Sequence, residues 1–202
     1  MGGVGARAKD ETVARRGILF VVSSPSGAGK TTLTRTLIEK EANLNLSVSV
    51  TTRARRPSEI DGVHYRFIST RHFEAMRAGD ELLEWAEVHG NCYGTPRRPV
   101  ETQIQQGNWV VLEIELQGAR QIRRSFPQAL QIFILPPSLE ELEHRLRRRG
   151  QDPEEAIARR LKRAQAEIEA ASEFDVQVMN DNLQDALEKI ELAIFSPVEL
   201  AV

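Results

Sequence analysis

Ser24-Pro25-Ser26-Gly27-Ala28-Gly29-Lys30-Thr31 follows the apolar run Ile18-Leu19-Phe20-Val21-Val22 and opens a segment, Thr31 to Lys40, with Leu33, Leu37 and Ile38 on one helical face. An uninterrupted apolar run between Gly17 and a Ser/Pro/Gly cluster is the pattern of a strand buried on both faces of a parallel sheet. The octet therefore reads as the loop of a strand, loop, helix unit, the setting in which such a loop binds phosphate. Glycines let backbone N–H groups turn inward around phosphate oxygens with no side chain in the way. Lys30 offers a point charge to the β- and γ-phosphates, and the Thr31 hydroxyl at the helix start suits Mg2+. Ser24 occupies the first place of the pattern G-x-x-x-x-G-K-[ST], so the match rests on context as well as on residue types. A glycine-rich turn with a solvated lysine is the competing reading. The loop names a class of nucleotide binder and leaves the reaction open.

The chain has 202 residues, 41% of them hydrophobic and 28% charged, which suits one globular unit with a sizeable core. Its formal charge of −2 gives no basic surplus, so neither nucleic acid nor a membrane surface is expected as a partner. Anion binding must come from local clusters. The single cysteine, Cys92, excludes an internal disulfide, and His64, His72, His89 and His144 show no metal-binding spacing. A reducing, cytoplasmic compartment fits that usage. No apolar run approaches the roughly 20 residues that span a bilayer. Residues 1–16 lack the apolar centre of a secretory signal and read as a flexible leader, and Ala6 stands where a myristoylation signal has Ser or Thr.

Beyond the loop, Ser47-Val48-Ser49-Val50-Thr51 alternates as a strand and runs into the Arg-rich stretch Thr52 to Asp61. From there to about Pro99, glycines and the aromatics Tyr65, Phe67, Phe73, Trp85 and Tyr93 suggest a small α+β insertion. Trp109 to Leu116 and Leu130 to Leu135 read as further core strands, with a short helix at Ala119 to Arg124. Ser138 with Glu141 forms a capping-box pattern that opens a helix towards Gly150, and Asp152-Pro153-Glu154-Glu155 opens another with Pro153 at its first position. Ile157, Leu161, Ala164 and Ile168 give that second helix an apolar stripe. Asp175 to Met179 and Leu183 to Phe195 read as a last strand and a last helix.

The acceptor side is written in several separate segments. Thr51-Thr52-Arg53-Ala54-Arg55-Arg56-Pro57, Asp61-Gly62-Val63-His64-Tyr65-Arg66-Phe67, Glu84-Trp85-Ala86, Gly90-Asn91-Cys92-Tyr93-Gly94-Thr95 and Glu115-Leu116-Gln117-Gly118-Ala119, with the phosphate loop, together resemble the guanylate kinase family. The resemblance runs from residue 17 to about 195, in order and with compatible spacing. It implies an α/β, three-layer P-loop NTPase fold with a parallel central sheet. A core (17–48, 99–139 and 163–195) would carry an inserted GMP-binding subdomain (49–98) and a mobile lid (140–162). It implies Mg2+-dependent transfer from ATP to GMP or dGMP, with ATP on the loop from Ser24 to Thr31 and on Thr32. Arg53, Arg56, Tyr65 and Tyr93 match family residues that hold the GMP phosphate. Ser49, Glu84 and Thr95 match those that recognise guanine, and Glu115 takes the place of a further guanine-contacting acid. Arg145 and Arg149, four apart on one helical face, and Arg160 match lid arginines that reach the transferring phosphates. These three, Lys30 and Arg53 are the expected catalytic set, and Thr31 and Glu113 the expected metal ligands.

The chemistry of the residues agrees with this. Guanine offers donors at N1 and N2 and an acceptor at O6, which a carboxylate beside hydroxyls complements; adenine lacks that donor pair. Arginine forks and tyrosine hydroxyls suit phosphate oxygens. Glu113-Ile114-Glu115 stands where the family often has Asp-x-Asp, and strand alternation would put both acids on one side of the strand's end. Two rival readings remain at this point. One is a guanylate-kinase-like domain that binds protein partners without catalysis, which an intact phosphate loop argues against. The other is a kinase acting on a ribosyl phosphate, which would leave Ser49, Glu84 and Thr95 without a base to read.

Overall fold

The apolar run is strand β1 (Ile18–Ser23), and every residue from Leu19 to Ser23 is buried. The computed structural model describes residues 17–88, 90–148 and 153–195. After β1 come the phosphate loop, helix α1 (Lys30–Lys40) and strand β2 (Leu44–Leu46). The chain then builds a second unit from β3 (Val50–Thr51), β4 (Arg66–Phe67), α2 (Thr70–Ala78), β5 (Leu82–Val88) and β6 (Asn91–Pro96). It returns through α3 (Arg97–Gln105), β7 (Trp109–Glu113), α4 (Leu116–Ser125), β8 (Leu130–Leu135), α5 (Leu139–Arg148), α6 (Glu154–Glu169), β9 (Val176–Met179) and α7 (Leu183–Phe195).

Five strands form a sheet in the order β2-β7-β1-β8-β9, and each neighbouring pair is parallel. Side chains alternate across it. Leu19, Val21, Val110, Leu112 and Phe133 pack on one face with Ala119 and Ile122 of α4. Phe20, Val22, Val111, Ile132 and Ile134 pack on the other with Leu33 and Leu37 of α1 and Leu187 and Ile190 of α7. This two-sided burial, worth about 2 kcal/mol for each large side chain, explains why the strands read as continuous apolar runs. Helices α1 and α4 leave β1 and β7 on opposite faces, so a crevice opens at the carboxyl ends of those adjacent strands, the usual ligand position in such sheets.

The second unit is a four-stranded sheet, β4-β3-β6-β5, whose own small core is Val50, Phe73, Met76 and Leu82. Helices α5 and α6 pack through Leu142, Leu146 and Ala164. Ser138 Oγ accepts from Glu141 N at 3.1 Å, so the expected cap is present, and Arg147 ties Glu143 at 2.8 Å and also Glu154.

Several boundaries differ from the sequence expectation. The stretch 47–51 is not one strand: Leu44–Leu46 joins the parallel sheet, the chain crosses over, and only Val50–Thr51 joins the small one. The strand expected to reach Leu116 stops at Glu113, and Leu116 already belongs to α4, which is longer than the helix expected at 119–124. Pro153 sits just before α6 as its N-cap residue. The last strand begins at Val176, one residue later than expected. Residues 1–16 and 149–152 lie outside the described residues, and with them the leader and Arg149.

Candidate active site

The crevice at the carboxyl end of β1 widens into a cleft of about 390 Å³ between the two sheets. One wall is the phosphate loop. Gly27 and Gly29 hold φ of +100° and +99°, a region that side-chain-bearing residues avoid. A Cβ on Gly29 would overlap the side-chain nitrogen of Asn180, whose Nδ2 donates to Ala28 O at 2.7 Å inside the protein. Helix α1 begins at this loop with no acid in its own first turn and no side-chain cap, so its N-terminal dipole faces the cleft. Lys30 Nζ donates to Ile114 O at 3.2 Å across the end of β7. Thr31 Oγ1 donates to Glu113 Oε2 at 3.0 Å, and Glu113 Oε1 is buried without a hydrogen-bond partner among the described residues.

The facing wall belongs to the small sheet. Arg53 is held by Glu59 in a fork, Nη1 to Oε2 at 3.0 Å and Nη2 to Oε1 at 2.6 Å, and Glu59 also accepts from Arg56 N at 2.8 Å. The Arg53 guanidinium lies 5.7 Å from the Tyr65 ring centre, and the Tyr65 and Tyr93 rings meet edge to face at 5.9 Å. Arg53 beside it, with the Arg56 N–H, holds the Glu59 carboxyl down at about 2. Burial pushes the Tyr65 hydroxyl up, and the neighbouring Tyr93, Glu113 and Glu115 add to the effect.

Glu84 lies on β5 at the back of the cleft. It is 4% exposed, and Thr95 Oγ1 of neighbouring β6 donates to its Oε1 at 2.6 Å. Burial raises its carboxyl to about 7, partly offset by that hydroxyl. Glu115, the residue before α4, lines the same cleft and accepts from Arg163 Nη2 at 2.7 Å.

Most residues picked out in the sequence therefore meet in one place: Ser24, Pro25, Ser26, Gly27, Gly29, Lys30, Thr31 and Thr32 face Arg53, Arg56, Tyr65, Glu84, Tyr93, Glu113 and Glu115. Ala28 and Thr95 are buried directly behind this lining. Ser49 precedes β3 outside the lining, with its carbonyl accepting from Arg66 N at 2.9 Å. Arg145 is turned to Glu141 Oε1 at 2.8 Å and Asn180 O at 3.2 Å. Arg160 lines a smaller cavity of about 120 Å³ with Ser26, Glu115 and Arg163. Sequence reasoning did not single out Glu59, Gly118, Gln121, Arg163 or Asn180 as site residues. Each acts through a partner remote along the chain or with no family motif to mark it, so spacing gave no sign of it.

Comparison with known proteins identifies the family. The family model for guanylate kinase matches residues 16–197. A guanylate kinase from Thermosynechococcus vestitus is 61% identical over 181 residues, covering 90% of this chain and 95% of the relative. One from Agrobacterium fabrum is 55% identical over 184 residues, covering 91% and 84%. The crystal structure of guanylate kinase from Anaplasma phagocytophilum is 34% identical and superposes with a TM-score of 0.73 over 89% of this chain and 85% of that one. A match to the family model over most of the length, with relatives this similar across nearly their whole chains, means that the chain belongs to the guanylate kinase family.

Proposed function

We propose that the protein transfers the γ-phosphoryl group of ATP to the phosphate of GMP or dGMP, releasing ADP and GDP or dGDP, with Mg2+ bound to the phosphates. The observation that carries this is the two-walled cleft: a phosphate loop with Lys30 on one side, arginines and a buried carboxylate on the other. The attacking GMP oxygen is already anionic near neutral pH, so no general base is needed. The barrier is the approach of two polyanions, and the protein's task is to neutralise and align them.

Lys30 and the loop N–H groups hold the donor phosphates; Arg53, Arg56, Tyr65 and Tyr93 hold the acceptor phosphate. As the Pγ–O bond to ADP breaks and the bond to the GMP oxygen forms, Lys30 balances charge on the leaving side and Arg53 on the attacking side. Thr31 and Glu113 fit a divalent cation, because one Glu113 oxygen meets the Thr31 hydroxyl and the other is buried and unpartnered. A Mg2+ ion held there would supply charge neutralisation for the transfer. Glu84, with Thr95 behind it, accepts from guanine N1 and N2, and Glu115 accepts a further guanine donor.

Arg145, Arg149 and Arg160 are the lid arginines in this reading. They close on the phosphates and exclude water once both nucleotides are bound. Arg145 must first leave Glu141 and Asn180. The interaction-domain and ribosyl-phosphate readings have less support, since the loop is intact and the similar relatives are named guanylate kinases. No described helix is long and apolar enough to cross a membrane, and we assign the enzyme to the cytoplasm.

A coupled assay of ADP release tests the proposal, with ATP and Mg2+ offered GMP, dGMP, AMP or a ribose phosphate. Turnover is expected with GMP and dGMP and only trace turnover with the others. Preference for a ribose phosphate, or no transfer to GMP, overturns it.

A further inference from the structure

We propose that Gly118 and Gln121, one turn apart on α4 of the core, are positioning residues that set guanine specificity by fixing the Glu84 carboxylate from behind. The inference rests on the reading of Glu84 as the guanine acceptor. Gly118 is the third residue of α4, with an ordinary helical backbone rather than the positive φ that demands glycine. Conformation therefore does not explain it. Space does: a Cβ on Gly118 would overlap Glu84 Oε2 and lie 3.0 Å from Cδ and 3.4 Å from Cγ. The atoms nearest to the missing methyl all belong to the carboxylate side chain that faces the cleft. Oε1 is engaged by Thr95 on the other side, so the Glu84 carboxylate is seated between a hydroxyl and the bare backbone of a helix.

Gln121 holds the strand that carries this acid. Strand β5 is the outer strand of the small sheet, so its outward N–H and C=O groups have no next strand. At Trp85, immediately after Glu84, the Gln121 side-chain amide takes that place. Oε1 accepts from Trp85 N at 3.1 Å and Nε2 donates to Trp85 O at 2.6 Å. The pair mimics a backbone ladder and locks β5 to α4. Gly118 thus sets the depth of the carboxylate and Gln121 sets the position of its strand. Both act from the core on a residue of the other sheet, and neither faces the nucleotide itself.

Gly118→Ala gives the sharpest test, because alanine favours a helix more than glycine does. The methyl must push the carboxylate by about 1 Å, a displacement that costs about a hundredfold in a positioned site. The expected result is a folded enzyme with an unfolding midpoint at or above that of the parent chain. Its kcat/KM for GMP should fall about 10- to 100-fold, mostly through KM, with the ATP KM within about twofold. Discrimination between GMP and inosine 5′-monophosphate, which lacks the 2-amino group, should shrink. In a Glu84→Ala background the same change should have no further effect, which a merely structural role would not produce. Gln121→Met, which adds nothing near the carboxylate, should move GMP KM and the inosine discrimination in the same direction by a smaller factor, and so decides the matter even if Gly118→Ala does not fold. Parental GMP kinetics in both variants, while Glu84→Ala raises the GMP KM, would overturn the positioning role alone. An unchanged GMP KM in Glu84→Ala would overturn the guanine reading on which it rests.

Discussion

Glu115 spends one carboxylate oxygen on Arg163 of α6, which also donates from Nε to Glu167 Oε1 at 2.8 Å. The longer acid thus comes with a cation that fixes its reach into the cleft, where its neighbour Glu113 keeps an unpartnered oxygen. Removing Arg163 should loosen Glu115 without touching the ATP side. Arg163→Ala is expected to raise the GMP KM several-fold and Glu115→Ala to raise it more, with the double variant no worse than Glu115→Ala. If Glu115→Ala leaves the GMP KM within about twofold, Glu84 reads the base without it. At this scale the sequence marked the two acids, and both line the cleft, although Glu115 stands at the start of α4 rather than on the strand; it gave no sign of the partner. Arg163 lies 48 positions from Glu115 and is one of many arginines on amphipathic helices, so nothing in its spacing sets it apart.

Among the elements, those defined by local chemistry were legible. Strand β8 and helix α7 have the bounds expected from apolar runs and helical periodicity. The stretch around Ser47 was not, because alternation reports a half-buried strand but not which of two sheets it joins. The end of β7 was misread for a similar reason: Ile114 and Leu116 continue the apolar alternation, yet Leu116 packs into the core from the first turn of α4. Helices α5 and α6 make a pair with its own small core, bridged by the Arg147–Glu154 ion pair. On the proposed function, arginines of this pair would act on the reacting state only once the pair closes over the phosphates. Arg149→Ala is accordingly expected to lower kcat by about a hundredfold or more while raising the GMP KM less than about threefold. An unchanged kcat in steady-state assays would make Arg149 a surface charge.

For the whole molecule, the two carboxylates of the small-sheet wall of the cleft, Glu84 and Glu59, pull stability in opposite directions with pH. Glu84, raised from 4.5 to about 7 by burial, binds its proton more tightly folded than unfolded. There is no penalty below about 4.5, where both states hold the proton; it builds as pH rises from 4.5 to 7 and levels off at ~3 kcal/mol above 7. Glu59, lowered to about 2, stabilises the fold above 4.5 and ceases to do so as pH falls towards 2. Glu84→Gln should therefore raise stability in urea unfolding at pH 8, by up to ~3 kcal/mol, with no gain at pH 4.5, while impairing GMP turnover. Equal stability of the two proteins at pH 8 would show that the ionised carboxylate is better solvated than its burial implies.

Asn180 gives the phosphate loop a history as well as a shape. Its amide reaches Ala28 from 152 positions further along the chain, from the end of the outermost strand of the parallel sheet. During synthesis the loop residues emerge early, but the bond that braces them forms only after β9 has been made and docked. Nucleotide capture is therefore expected late in the life of the nascent chain. Chains stalled on the ribosome at increasing lengths should retain an ATP analogue only once Asn180 has cleared the exit tunnel, and full-length Asn180→Ala should retain it less well than the parent. Retention by chains stalled well before Val176 would mean that the loop closes on its own.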